Sequence, residues 1–175
     1  NNKVYLHKYF NYETDIIQAI VSIIQCSDMN QETTNSKIEL LQKLFKEIEI
    51  DKSLTDEENI DWQRIAAFSA LRNRFTIITG GPGKGKTTTV ATILAMLFSE
   101  KPDLKVQLTA PTGKAANRMN ESLKSARDSL QVSQEIKDKF ETIEARTIHR
   151  LLGSSRNRYG FTHNKENLLD ADVVI

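Results

Sequence analysis

The sequence predicts an α/β fold, a parallel sheet with flanking helices, preceded by a small, mainly α-helical domain. Three observations predict it. A short apolar run, a glycine-rich loop and a helical pattern follow one another around residue 80. Two further apolar runs, 105–109 and 172–175, are separated by helical stretches, as crossover connections between parallel strands require. Upstream of residue 56 the apolar spacing is mostly helical. The expected division is a helical domain over residues 1–55 and a sheet domain over 56–175.

The elements follow in order. Val4, Tyr5 and Leu6 read as strand-like. Over residues 13–25, Ile16, Ile17, Ile20, Val21 and Ile24 recur at spacings of three and four, which is an amphipathic helix. Ser36 and Glu39 form a capping box for a second helix, with Ile38, Leu41, Leu44, Phe45 and Ile48 on one face. Both stripes read as core and inter-domain packing, with a partner surface as the alternative. The acidic stretch 51–59 reads as the linker. Thr55 with Glu58, or Asp61 alone, can cap the next helix, over about 60–73.

Phe75, Ile77 and Ile78 then read as a short buried strand. Val90, Ile93, Leu94 and Leu97 continue at helical spacing beyond the loop. Lys101-Pro102-Asp103 breaks the chain, and Val106 and Leu108 alternate in the next strand. Another helix follows Gly113, putting Lys114, Arg118 and Glu121 near one another. A polar helix is expected over 133–144, a short one over 147–152 ended by Gly153, a hairpin or loop over 156–164, and a third buried strand from Asp172.

Composition bounds the class. The chain has 175 residues, 39% hydrophobic and 27% charged, as globular proteins have. No apolar run reaches the ~18 residues of a membrane span, and no secretion signal is recognisable, so a cytoplasmic location is expected. The lone Cys26 cannot form an internal disulfide and reads as a small apolar filler. The net charge of +1 conceals an asymmetry: residues 1–61 carry −6, residues 62–104 carry +4 and residues 105–158 carry +5. Basic charge therefore gathers on and after the glycine-rich loop, where a polyanion would be handled.

The loop itself is the most informative stretch. Gly80, Gly81, Pro82, Gly83, Lys84, Gly85, Lys86, Thr87 and Thr88 contain the pattern G-x-x-x-x-G-K-[ST]. Glycines let consecutive backbone N–H groups turn toward phosphate oxygens. Lys86 can reach the outer phosphates, and the Thr87 hydroxyl can ligate Mg²⁺. A helix starting near Gly85 adds its positive end. Gln63 can read an adenine edge with its paired donor and acceptor, or be a plain surface glutamine. Downstream, Pro111, Thr112, Gly113 and Lys114 leave a strand at the ligand-binding edge of such a sheet and offer donors to a phosphate backbone. His149 can stack on a nucleotide or serve a structural role.

In their order and spacing, GGPGKGKTTTV, LTAPTGKAANRMNESL and TIHRLLG resemble the motor of superfamily 1 DNA helicases, most closely the alpha-subunit family of bacterial exodeoxyribonuclease V. VYLHKYFNYE and DWQRIAAFSAL resemble that family too, so the likeness covers nearly the whole chain. It implies a phosphate-loop, RecA-like domain. Residues 80–87 would bind ATP and Mg²⁺, with Lys86 and Thr87 catalytic, and Gln63 would read adenine. Pro111 to Lys114, with Arg118, would contact single-stranded DNA, and Thr147 and His149 would lie near the DNA path. It also implies 5′ to 3′ movement on single strands, action on duplex ends, and association with beta and gamma subunits. Lys84 departs from the family's usual Thr or Ser. Asp172 to Ile175 looks like the lead-in to the strand carrying the family's Asp-Glu pair, which the sequence does not contain. The chain is thus expected to be part of a longer helicase and, alone, to bind nucleotide weakly without turnover. The alternatives are a stand-alone superfamily 1 helicase and a non-hydrolysing phosphate-loop module that binds DNA or protein.

Overall fold

A computed structural model of the chain describes residues 6–25, 60–154 and 160–175. The predicted helix over 36–48, the linker and the 55/56 boundary lie outside these residues. Helix α1, His7–Gln25, starts earlier than its apolar stripe suggests, because Tyr9, Phe10 and Tyr12 extend the pattern upstream. None of its residues is buried; Ile16 and Ile17 are about 60% exposed. The expectation that this stripe forms core is therefore not met.

Helix α2, Trp62–Arg72, opens where Asp61 predicts. The Asp61 carboxylate accepts a hydrogen bond from the Arg64 N–H at 3.0 Å, satisfying one of the orphan donors of the first turn. Helix α3, Lys86–Glu100, is the hub. It is apolar nearly all round, which is the signature of a helix packed on more than one side. On one side Ile93 and Met96 meet Ala67 and Leu71 of α2. On the other, Leu94, Ala95 and Phe98 meet Leu108, Leu123 and Phe140. Two buried threonines are tolerated because their hydroxyls donate back to the helix, Thr89 to Gly85 O and Thr92 to Thr88 O.

Strand β1, Val106–Ala110, leads into helix α4, Gly113–Ser129, then helix α5, Gln134–Glu141. Strand β2, Ala145–Thr147, runs directly into the one-turn helix α6, Ile148–Leu151, and strand β3 is Val173–Val174. The sheet order is β2-β1-β3, all parallel, with Leu108 opposite Ala145 and Val106 opposite Val173. Phe98 and Phe140 meet edge to face, with ring centroids 6.0 Å apart. Asn120 of α4 bonds the first residue of β2 twice, accepting from Ala145 N–H at 2.7 Å and donating to its carbonyl at 3.5 Å. Gly153, at φ +72°, ends α6, and Ser154 is bridged to Phe161.

Two strand expectations need correction. Residues 76–80 join no strand, and Ile77 is 72% exposed. An apolar run becomes a strand only when a neighbour completes its ladder, and β3 spends its described backbone bonds on β1. The third strand is only partly covered: Val174 is 51% exposed.

Asp172 fastens β3 to the start of β1. Its carboxylate accepts from the Lys105 N–H at 2.9 Å and lies 3.6 Å from the Lys101 ammonium. The Lys105 N–H, with help from Lys101, holds the carboxyl below its ordinary value against the opposing effect of desolvation. A depressed folded value means that this contact stabilises above the unfolded value and is lost as pH falls through the folded one. The Tm advantage of the wild type over Asp172→Ala is accordingly expected to be full at neutral pH and to shrink only in acid below the ordinary carboxylate range, as a pH series of thermal melts would show.

Candidate nucleotide and nucleic-acid site

The glycine-rich loop meets α3 at Gly85, which stands at the N-cap with φ +75°. A side chain there would force the left-handed region, at a cost of roughly 1–2 kcal/mol. A Cβ would also collide with the Gln63 amide, lying 2.9 Å from its Cδ. Gly85 caps with no side chain of its own, so no cap side chain bonds the first N–H groups of α3. This is the local arrangement that favours a bound anion.

Lys86 is the first residue of α3. Its ammonium donates to the carbonyls of Gly80 and Gly81, at 2.6 and 2.7 Å. The loop therefore curls around its own lysine, and a phosphate would draw the ammonium away from these carbonyls. Gln63 on α2 reaches the same loop and donates to the Lys84 carbonyl at a long 3.5 Å. Lys84 itself lines the cavity beside the loop, and its backbone is what Gln63 touches.

Two of the cavities beside the loop contain Lys86. The first, about 490 Å³, is lined by Trp62, Gln63, Ile78, Gly80, Lys84 and Lys86 among others. It combines an exposed indole, a bifunctional amide and the loop lysine, which together suit a planar base carrying phosphates. Trp62 has no motif of its own in the sequence; its place beside Gln63 at the start of α2 was the available signal. The second, about 350 Å³, lies between α3 and α4 and is lined by Ile78, Lys86, Thr87, Val90, Ala115, Arg118, Met119, Ser122 and Leu123. The Thr87 hydroxyl is an oxygen donor of the kind a hard cation takes. Among the described residues no cluster of three or more His, Cys, Asp or Glu could hold a metal.

The other predicted residues gather at one edge of the sheet. Ala110 pairs with Thr147, so the chain leaves β1 and β2 side by side. Pro111 and Thr112 follow β1. Thr112 caps α4, its hydroxyl accepting from Ala115 N–H at 3.2 Å, which leaves the O–H free to donate. Gly113 and Lys114 are exposed in the first turn. Thr147 caps α6 in the same way, accepting from Arg150 N–H. His149 packs beside Phe161, with ring centroids 6.0 Å apart. Arg118 departs from this group: it lines the cavity that Lys86 and Thr87 share, whereas Lys114 does not.

A family model described as an AAA domain matches residues 63–175. The RecBCD enzyme subunit RecD of Buchnera aphidicola (subspecies Acyrthosiphon pisum) is 38% identical over 174 residues, which is 99% of this chain and 27% of that protein. The RecBCD enzyme subunit RecD of Haemophilus influenzae is 42% identical over 124 residues, 68% of this chain and 19% of its own length. The ATP-dependent RecD2 DNA helicase of Deinococcus radiodurans is 32% identical over 124 residues, 71% of this chain and 14% of its own. The chain spans about a quarter, or less, of the length of these curated relatives. No described helix is long and apolar enough to cross a membrane.

Proposed function

The chain belongs to the AAA domain family, and on that premise we propose that it is the nucleotide-binding part of an ATP-dependent 5′ to 3′ DNA helicase. The enzyme would be the alpha subunit of exodeoxyribonuclease V, working in the cytoplasm with beta and gamma subunits to unwind and degrade duplex ends in recombinational repair. Its similarity to RecD subunits over nearly all of its length supports the assignment. The observation that carries the chemistry is the cavity between α3 and α4, where the phosphate loop and the helix capped by Thr112 meet.

The residues divide the work. The loop N–H groups and Lys86 would hold the phosphates and neutralise charge as water attacks the γ-phosphate in line. Thr87 would hold Mg²⁺, which supplies charge neutralisation on the phosphate oxygens. Trp62 and Gln63 would receive the adenine. Thr112, Gly113 and Lys114, with Thr147 and His149 beside them, would grip the backbone of single-stranded DNA. Because α3 packs on α4, a change at the nucleotide can reach that grip.

The test is nucleotide hydrolysis by the full-length protein with and without single-stranded DNA. Stimulation by DNA is expected. Nucleotide binding with no stimulation would leave a phosphate-loop binding module instead. A stand-alone helicase is a second reading, favoured by the Deinococcus radiodurans relative, whose name is that of a helicase rather than a subunit. Co-purification with or without partner subunits separates the two.

A further inference from the structure

Lys114 and Arg118 of α4 do not share the same surroundings. Lys114 sits in the first turn at the edge of the sheet, while Arg118, one turn on, lines the cavity with Thr87 and Lys86. The residues of α4 that face this cavity are Ala115, Arg118, Met119 and Ser122, with Leu123 below, at spacings of three and four. Of these, Ala115, Met119 and Leu123 belong to the core that α3 shares, while Arg118 and Ser122 are exposed and line the same cavity as Lys86 and Thr87 in the first turn of α3. No described carboxylate forms an ion pair with it, although Glu121 is on the same helix and lines the neighbouring cavity with Thr87 and Thr88. Arg127, on the same helix, shows the contrast: its guanidinium is engaged by Asp128 and Glu141, at 2.8 and 2.9 Å.

We propose that Arg118 is a phosphate ligand of the nucleotide site, directed at the terminal phosphate, and not a contact to DNA. The proposal rests on the nucleotide-binding reading given above. A guanidinium presents a planar fork of donors that matches phosphate oxygens, and it stays charged at any physiological pH. Placed beside the threonine hydroxyl and the loop lysine, it adds a third donor group on the α4 side of the phosphates. Its backbone lies one turn from Lys114, so a phosphate held by Arg118 pulls on the same helix that would grip the strand. The terminal phosphate would thereby be sensed by α4 directly.

The test compares Arg118→Ala and Arg118→Lys with the wild type in the full-length protein. Three affinities are measured with Mg²⁺ present: a non-hydrolysable ATP analogue, ADP, and a single-stranded oligonucleotide without nucleotide across a salt series. Arg118→Ala is expected to weaken the ATP analogue about ten- to a hundredfold. ADP affinity, oligonucleotide affinity and the salt slope should remain as in the wild type, and Arg118→Lys should recover part of the loss. Weakened oligonucleotide binding with a shallower salt slope would overturn the proposal and return Arg118 to the DNA surface. Equal losses for ADP and the ATP analogue would overturn the assignment to the terminal phosphate, and so would no loss for either. Lys86→Ala separates the two readings: if that variant still bound both nucleotides as the wild type does, the nucleotide site itself would be refuted, whatever Arg118 did.

Discussion

Lys86→Ala is expected to cut nucleotide hydrolysis by the full-length protein about 10²- to 10³-fold, the usual cost of removing one preorganised donor from developing charge. Steady-state turnover with saturating single-stranded DNA measures it. The lysine is half-buried, and its described bonds go to the carbonyls of the exposed Gly80 and Gly81, so little of the fold depends on it. Thermal melts of the variant should stay within about 1 kcal/mol of the wild type, because water can replace the ammonium at the two exposed carbonyls. A large fall in stability would mean that the lysine is a structural staple of the loop. Unchanged turnover would mean that the chemistry lies elsewhere.

The second large effect is on stability. Leu94 is fully buried on α3, in the cluster that joins β1, α4 and α5. Leu94→Ala removes three heavy atoms from this junction and leaves a cavity, costing about 3–5 kcal/mol. Against a total of roughly 5–15 kcal/mol, that is a large share. Denaturant titration should show a lower midpoint with the slope unchanged. Ile77→Ala is the control. Ile77 is 72% exposed and should cost under about 0.5 kcal/mol, although the sequence alone makes Ile77 a core residue of a strand.

These two leucine and isoleucine positions show which parts of the fold are legible in the sequence. Features whose chemistry is local are read correctly. Asp61 caps α2, Gly85 opens α3, and Gly153 closes α6, because each needs only its own neighbours along the chain. The run at residues 75–78 misleads because a strand is a contract between distant segments, and apolar alternation says nothing of who completes the ladder. The stripe of α1 misleads for the same reason: spacing gives a face, not the surface that covers it.

Around the candidate site, the helix that starts at Gly85 and the one that starts at Gly113 are legible from their spacing. The different surroundings of Arg118 and Lys114 are not, since four residues apart on a helix they fall near one another, and only the fold shows that Arg118 lines the cavity with Lys86 and Thr87 while Lys114 does not. Asn120 carries no signal at all; its partner is 25 residues away.

That asparagine has a consequence for how molecules of this protein meet. Strand β2 is one of the two outer strands of the described sheet, and an outer strand offers unpaired N–H and C=O groups to any passing chain. At Ala145 both groups are already spent on one side-chain amide. The amide imitates the strand that would otherwise dock there, so α4 closes the sheet to strangers at the point where the chain enters it. At this residue the edge of the sheet is capped by a single side chain.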